Sequence, residues 1–203
     1  GYRLKEFSCS LQQKSASDDL ALHRAVRMTL EDEMKALSEV FSDLAPDVPR
    51  ELSVNGAGTF EVGGPEGDNG LSGKKLVVDA YGPRIPIGGG ALSGKDFFKV
   101  DRAGALHARR IAKAIVITGA ACEATVRLAW FPGDREGRLL SLETEDRKQL
   151  NPKPWQGLFN LSLEASGENW THTADLIKIA RYGHFTDDDP EWESLCISSA
   201  KTA

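Results

Sequence analysis

Apolar residues between Asp18 and Leu44 recur at three- and four-residue steps (Leu22, Val26, Leu30, Leu37, Phe41, Leu44), with polar and charged residues between them. That period puts them on one side of a helix, so the spacing predicts a long amphipathic helix over 18–44 whose apolar stripe faces a core. Ser17 or Asp18 stands where a side-chain oxygen can take up the free amides at its start. Pro46 and Pro49 then break the pattern and lead into a strand near 51–54, and a further short strand is expected near 6–11. Glycines at 56, 58, 63, 64, 67, 70 and 73 follow, around one apolar strand candidate at 59–62. Such a density of glycine marks close backbone approaches or turns with positive φ.

Beyond them LVVDAY (76–81) predicts a strand, and 82–94 a second glycine-rich loop. Val100, Ala103, Leu106, Ile111, Ala114 and Ile115 keep helical spacing, and Gly119 is placed to end that helix. Strands are expected at 125–130, 139–143 and 158–163, divided by the turn formers PGD and NPKP, and TADLIKIARYGHF as a last short helix or turn. Helices alternating with strands in this order imply an α+β fold of layered domains, with helices packed on one face of mixed sheets.

Composition narrows the class. The chain has 203 residues, 40% hydrophobic and 27% charged, which suits one large domain or two small ones with a true core. No apolar run approaches the roughly 18 residues a membrane span needs, so no membrane association is expected. Cys9, Cys122 and Cys196 form an odd set without CxxC spacing, against a disulfide framework or a zinc site, and a reducing cytoplasm fits them best. Cys122 is expected to be a small buried apolar residue.

The net charge of −5 argues against a nucleic-acid binder, yet charge is unevenly placed. Between Leu71 and Lys113 nine basic residues face three acids, Asp79, Asp96 and Asp101. A small polyanion such as a nucleoside triphosphate would suit this excess, and a solvated helix face is the competing reading. GGGALSGKD has the spacing GxxxxGK at Gly89, Gly94 and Lys95, but Asp96 replaces the Ser or Thr that a Walker loop uses for magnesium. The physics of anion binding survives the mismatch. Glycines let backbone N–H groups turn toward an anion, and Lys95 and Lys99 lie one helical turn apart.

GGPEGDNGLSGKKLVVDAYG (63–82) followed by GGGALSGKDFFKVDRAGALHAR (88–109) resembles the signature region of S-adenosylmethionine synthetases, the methionine adenosyltransferases. RYGHF (181–185) resembles that family's C-terminal end, and 18–44 the end of its middle domain. The resemblance implies a partial middle domain over 1–63 and a C-terminal domain carrying the triphosphate-site motifs over 64–203. It implies a reaction in which methionine sulfur attacks C5′ of ATP and expels triphosphate, which is then hydrolysed, with magnesium and potassium as cofactors. Residue by residue, it implies that Thr59 and Phe60 contact adenosine, that Asp68 touches ATP and methionine, and that Lys74 and Lys75 grip the triphosphate. Ala91 matches a backbone contact to ATP, Lys95 a phosphate lysine, Lys99 a methionine-site lysine, and Asp101 a magnesium ligand. Lys95, Lys75 and Asp68 would carry the catalytic burden.

There are departures from the family. Lys74 replaces an arginine and loses its planar fork, Thr59 replaces a basic residue, and 83–87 lacks the usual glycine and histidine. Trp130 and Phe131 stand where a smaller residue lies near adenine, and are read as core. No histidine is followed by proline, so the His-Pro-Asp motif that assists triphosphate departure is absent from this sequence. The resulting expectation is a subunit inactive alone, completed by a second polypeptide in a hetero-oligomer; a non-catalytic module or a fragment of a full-length enzyme is the alternative. Among the remaining polar residues, His23, His107, His172 and His184 are expected to be structural or exposed, Asp79 an ion-pair partner or a site residue, and DDDPEWE (187–193) a solvated tail.

Overall fold

The computed structural model describes residues 1–14, 18–67, 81, 84–85, 92–186 and 190–195. The expected strand over 76–81 lies, apart from Tyr81, outside them. The architecture is α+β and divides into two compact units, Gly1–Leu71 with Phe131–Asp134, and Ser72–Trp130 with Arg135–Ala203.

In the first unit, β1 (Ser8–Cys9) pairs in parallel with β2 (Ser53–Val54), Ser8 opposite Ser53. Asn55 extends the pairing with its side chain: Oδ1 accepts from the Leu11 amide at 2.7 Å, and Nδ2 donates to the Leu11 carbonyl at 3.0 Å. Helix α1 (Asp19–Val40) is capped by Asp18, which accepts from the amides of Leu20 and Ala21. Its Arg27 guanidinium donates to the carbonyls of Pro49 and Arg50, tying the chain after the helix back along it. The expected core face is only partly realised. Met34 is buried and Leu22, Val26 and Leu30 are half-buried, but Leu37 and Phe41 are exposed. A helix of 22 residues is about 33 Å long, and a ladder of two residues per strand cannot cover that length. The expected strand at 59–62 is not one; the Phe60 carbonyl accepts from the Gln13 amide and the Glu61 carbonyl from the Gln12 side chain, without a ladder among the described residues.

The second unit is organised around α3, taken after the short helix α2 (Gly64–Gly67) and spanning Val100–Ile117. It ends as its spacing predicts. Gly119 adopts φ +74, its amide donating to the Val116 carbonyl and that of Ala120 to Ile115, which satisfies the carbonyls a helix end leaves free. Antiparallel strands β3 (Ala124–Ala129) and β4 (Arg138–Thr144) pair Val126 with Leu142 and lay Leu142, Val126 and Leu139 against Ile111 and Ile115.

The expected strand at 158–163 is instead the approach to helix α4 (Leu163–Thr173). Asn160 Oδ1 accepts from the Ser162 amide and Ser162 Oγ from the Ala165 amide, so local side-chain bonds turn the chain into a helix against its alternating pattern. A short helix α5 (Leu176–Lys178) runs on into a π-helical turn, Ile179–Gly183. A second cluster forms where Phe97, Ala103 and Leu106 meet Trp170, Ile179 and Trp192. Trp192 is wholly buried and Glu193 only 4% exposed, so the expectation of a solvated tail fails there, while Glu191 between Pro190 and Trp192 is exposed as expected. A tryptophan between acids gains more from burial among rings than its charged neighbours lose, provided they are paired. Trp130 is half-buried and belongs to neither core cluster, though its ring lies close over two glycines: a Cβ at Gly137 would fall 2.2 Å from it, and one at Gly104 3.0 Å. Cys122 is exposed, not buried, because it lies in the turn between Gly119 and β3. Among the described residues no helix is long and apolar enough to cross a membrane.

Candidate functional site

The chain enters α3 through a turn that its own polar side chains build. Gly94 sits at φ +86, a left-handed conformation that costs a residue with a Cβ about 1 kcal/mol or more. Asp96 Oδ1 then accepts from the Phe98 amide at 2.9 Å, and the Asp96 carbonyl accepts from the Lys99 amide. Lys99 is the cap residue of α3 and offers no side-chain oxygen to the first helical amides. Those amides, with the positive end of the helix dipole, make this terminus favourable to an anion.

Around it stand Lys95, Lys99 and Asp101, three of the residues expected at the site. Lys99 and Asp101 are exposed, and the Lys95 ammonium reaches forward to pair with the Asp101 carboxylate. With side chains 35% and 43% exposed, this pair lies open to water. It contributes roughly 0–1 kcal/mol and is cheaply exchanged for other partners. Thr59, exposed, and Phe60, half-buried, lie in the first unit. Asp68, Lys74, Lys75 and Ala91 lie outside the described residues. Among the described residues no group of three or more His, Cys, Asp or Glu side chains is placed to hold a metal. Asp101 by itself offers what magnesium commonly takes from a protein, one hard carboxylate oxygen to share with phosphate oxygens and water. No described residue presents itself for potassium.

Behind this open edge the basic excess is differently disposed. Glu193 accepts from Arg109 Nη2 at 3.0 Å and from Lys113 Nζ at 2.7 Å, and Tyr81 accepts from Arg109 Nη1 at 2.8 Å. Burial opposes the Arg109 charge, but the bonds to Glu193 and Tyr81 outweigh it and hold the guanidinium above its ordinary pKa. Arg110 lies over the Phe159 ring at 4.2 Å, with Glu191 at 3.7 Å. These cations serve the fold.

Two histidines in this unit are kept neutral. His107 Nε2 meets Ser166 Oγ at 2.7 Å, and that hydroxyl donates to the Ser162 carbonyl. Its pKa is pushed down to about 4 by burial and then by the Arg110 charge. His184 is likewise lowered to about 4 by burial and by Arg102. Their structural role was legible in the lack of metal spacing. Arg102, Trp192 and Glu193 were not singled out, and the one available signal was a tryptophan inside an acidic run.

The family model described as S-adenosylmethionine synthetase, C-terminal domain, matches residues 62–194. The S-adenosylmethionine synthase of a Nitratiruptor species is 38% identical over 160 residues, covering 72% of this chain and 42% of that protein. That of Thermosynechococcus vestitus is 35% identical over 204 residues, covering 92% and 49%. The solved structure of an unusual S-adenosylmethionine synthetase from Campylobacter jejuni superposes with a TM-score of 0.51 at 25% identity, over 92% of this chain and 50% of its own. The chain spans about half the length of the curated relatives it matches.

Proposed function

Since the chain belongs to the S-adenosylmethionine synthetase family, we propose that it supplies the triphosphate-gripping part of a methionine adenosyltransferase site and needs further groups from a second polypeptide. The observation that carries this is the grouping of Lys95, Lys99 and Asp101 around the start of α3, where no side chain caps the first helical amides, Lys99 is exposed and the Lys95–Asp101 pair lies open to water.

In the reaction, methionine sulfur displaces triphosphate from C5′ of ATP, and the triphosphate is hydrolysed to phosphate and diphosphate. Negative charge grows on the departing oxygens, so cations fixed beforehand at their destination lower the barrier, each by up to about 10²–10³-fold in rate. Lys95 takes the phosphate oxygens, exchanging its bond to Asp101 for them, and Lys75 and Lys74 add to the same grip. Asp101, once released, would be the residue to hold magnesium, which would supply neutralisation of part of the triphosphate charge. Lys99 faces the methionine carboxylate. Asp68 orients both substrates, the Ala91 backbone contacts ATP, and Thr59 and Phe60 receive adenosine. Potassium is proposed as a second cofactor with no residue assigned to it. The boundary between a partial middle domain (1–63) and the C-terminal domain (64–203) is proposed to fall near Gly64. The chain is proposed to work in the cytoplasm.

Further groups from a second polypeptide are proposed because of what the residues in this sequence lack, and a fragment of a full-length enzyme that carries those groups itself is the alternative. This sequence has no His-Pro pair, and no described residue near Lys95 could replace an imidazole assisting triphosphate departure, His184 being buried and neutral. The test is to assay S-adenosylmethionine formation by this chain, by a chain bearing a His-Pro-Asp segment, and by their mixture, with magnesium and potassium. Activity confined to the mixture, lost in Lys95→Ala and Asp101→Asn, is expected. A chain that binds no ATP and activates no partner would leave a non-catalytic module as the surviving reading.

A further inference from the structure

Arg102 is the third residue of α3 and is 4% exposed, so it cannot itself meet a solvent-borne anion. It nonetheless joins three parts of its unit. Nη1 donates to the Lys95 carbonyl, the guanidinium lies 4.1 Å over the Phe97 ring, and Nη2 meets His184 Nε2 at 3.3 Å. A guanidinium only donates, so His184 Nε2 carries the lone pair and the imidazole proton sits on Nδ1. His184 is held from the other side, its carbonyl accepting from Trp192 Nε1 at 2.8 Å. The Trp192 ring also stands 5.4 Å from the Phe97 ring that underlies Arg102. Two routes, one through rings and one through hydrogen bonds, thus run from Pro190–Leu195 to the Lys95 backbone.

This is a costly way to fill a core. Burial lowers the Arg102 pKa, and only the charge of Asp96 opposes that shift. An apolar side chain at this depth would avoid the penalty of a buried cation, but it could not hold the Lys95 carbonyl. Because Arg102 follows Asp101 directly in the helix, the bond that fixes the Lys95 backbone also fixes its spacing from Asp101.

We propose that Arg102 is a positioning residue for Lys95, and that the segment Pro190–Leu195 sets its position through His184 and Trp192. The inference rests on the reading of Lys95 as a triphosphate lysine given above. Binding of magnesium tripolyphosphate to the full chain, by calorimetry, is measured beside the ratio of Lys95 to Lys99 acetylation by an amine-selective reagent, read by peptide mass spectrometry. Arg102→Lys keeps the charge but cannot reach both the carbonyl and the imidazole. It weakens tripolyphosphate about tenfold or more, as a reacting group displaced by a fraction of an ångström does. The acetylation ratio rises about threefold, the scale of a lost exposed ion pair. Trp192→Phe, which keeps a ring but removes the N–H, shifts both readouts the same way by less, and covers the case in which Arg102→Lys does not fold. Unchanged binding and an unchanged ratio in Arg102→Lys, with only a lower thermal midpoint, overturn the proposal. If the unsubstituted chain binds no tripolyphosphate, the triphosphate reading alone falls, and the acetylation ratio still decides whether Arg102 positions Lys95.

Discussion

The two ends of α3 carry cations under opposite rules. At its start Lys95 and Lys99 stand in or near solvent, and the ion pair of Lys95 with Asp101 is half-exposed. Further along, Arg109 and Lys113 converge on Glu193, whose side chain is 3% exposed, and Arg110 lies between rings. The first group can be surrendered to a ligand at little cost, and the second cannot be disturbed without leaving a buried charge unpaired. A count of positive charge along the sequence merges the two. Only neutralisation by the tail separates cations free to bind an anion from cations already spent on the fold.

The sharpest way to break the comparison is at its buried side. Trp192→Ala empties a wholly buried ring site and costs about 3–5 kcal/mol of stability. Glu193→Ala, which strands Arg109 and Lys113, costs about 3 kcal/mol or more. Both are read from chemical denaturation of the full chain, where Lys95→Ala is expected to lower stability by no more than about 1 kcal/mol. A Lys95→Ala loss as large as that of Glu193→Ala would erase the distinction.

Acid gives the next effect. His107 and His184 titrate near 4 in the folded unit, below the ordinary 6.5, so the unfolded chain takes up protons first as pH falls. Their contribution is complete above about pH 6.5 and is lost as pH drops from there through 4. His107→Gln should flatten that part of the stability profile, and a profile unchanged by the substitution would mean the imidazole is not held neutral. The smallest effect belongs to the exposed pair Arg84–Glu123, with side chains 78% and 60% exposed. Glu123→Gln should change stability by less than about 0.5 kcal/mol, and less again in high salt.

What the sequence disclosed followed the range of the forces involved. Helix α3 and its glycine stop, the strands β3 and β4, and the closeness of Lys95 to Lys99 are set by neighbours within a few residues, and periodicity and spacing report those directly, whereas Asp101 was singled out only through the family resemblance. The fate of α1's stripe was hidden because a periodic apolar face says that a helix can be covered, not how much covers it. Helix α4 was hidden by an alternating pattern that two local side-chain bonds overrule. Glu193 was hidden most deeply, since its partner Arg109 lies 84 residues away and nothing local marks an acid that will be buried.

The burial of Trp192 also orders events in time. Phe97 and Trp170, against which its ring packs, are made well before it on the ribosome, so this cluster cannot close while the chain is still short of Pro190. Until then Phe97, Leu106 and Trp170 are apolar surface on a growing chain, open to chaperones and to one another. Synthesis halted just before that point would yield a product with all of α3, α4 and the core under β3 and β4 but with this ring cluster left open, a surface that quality control would meet as incompletely folded.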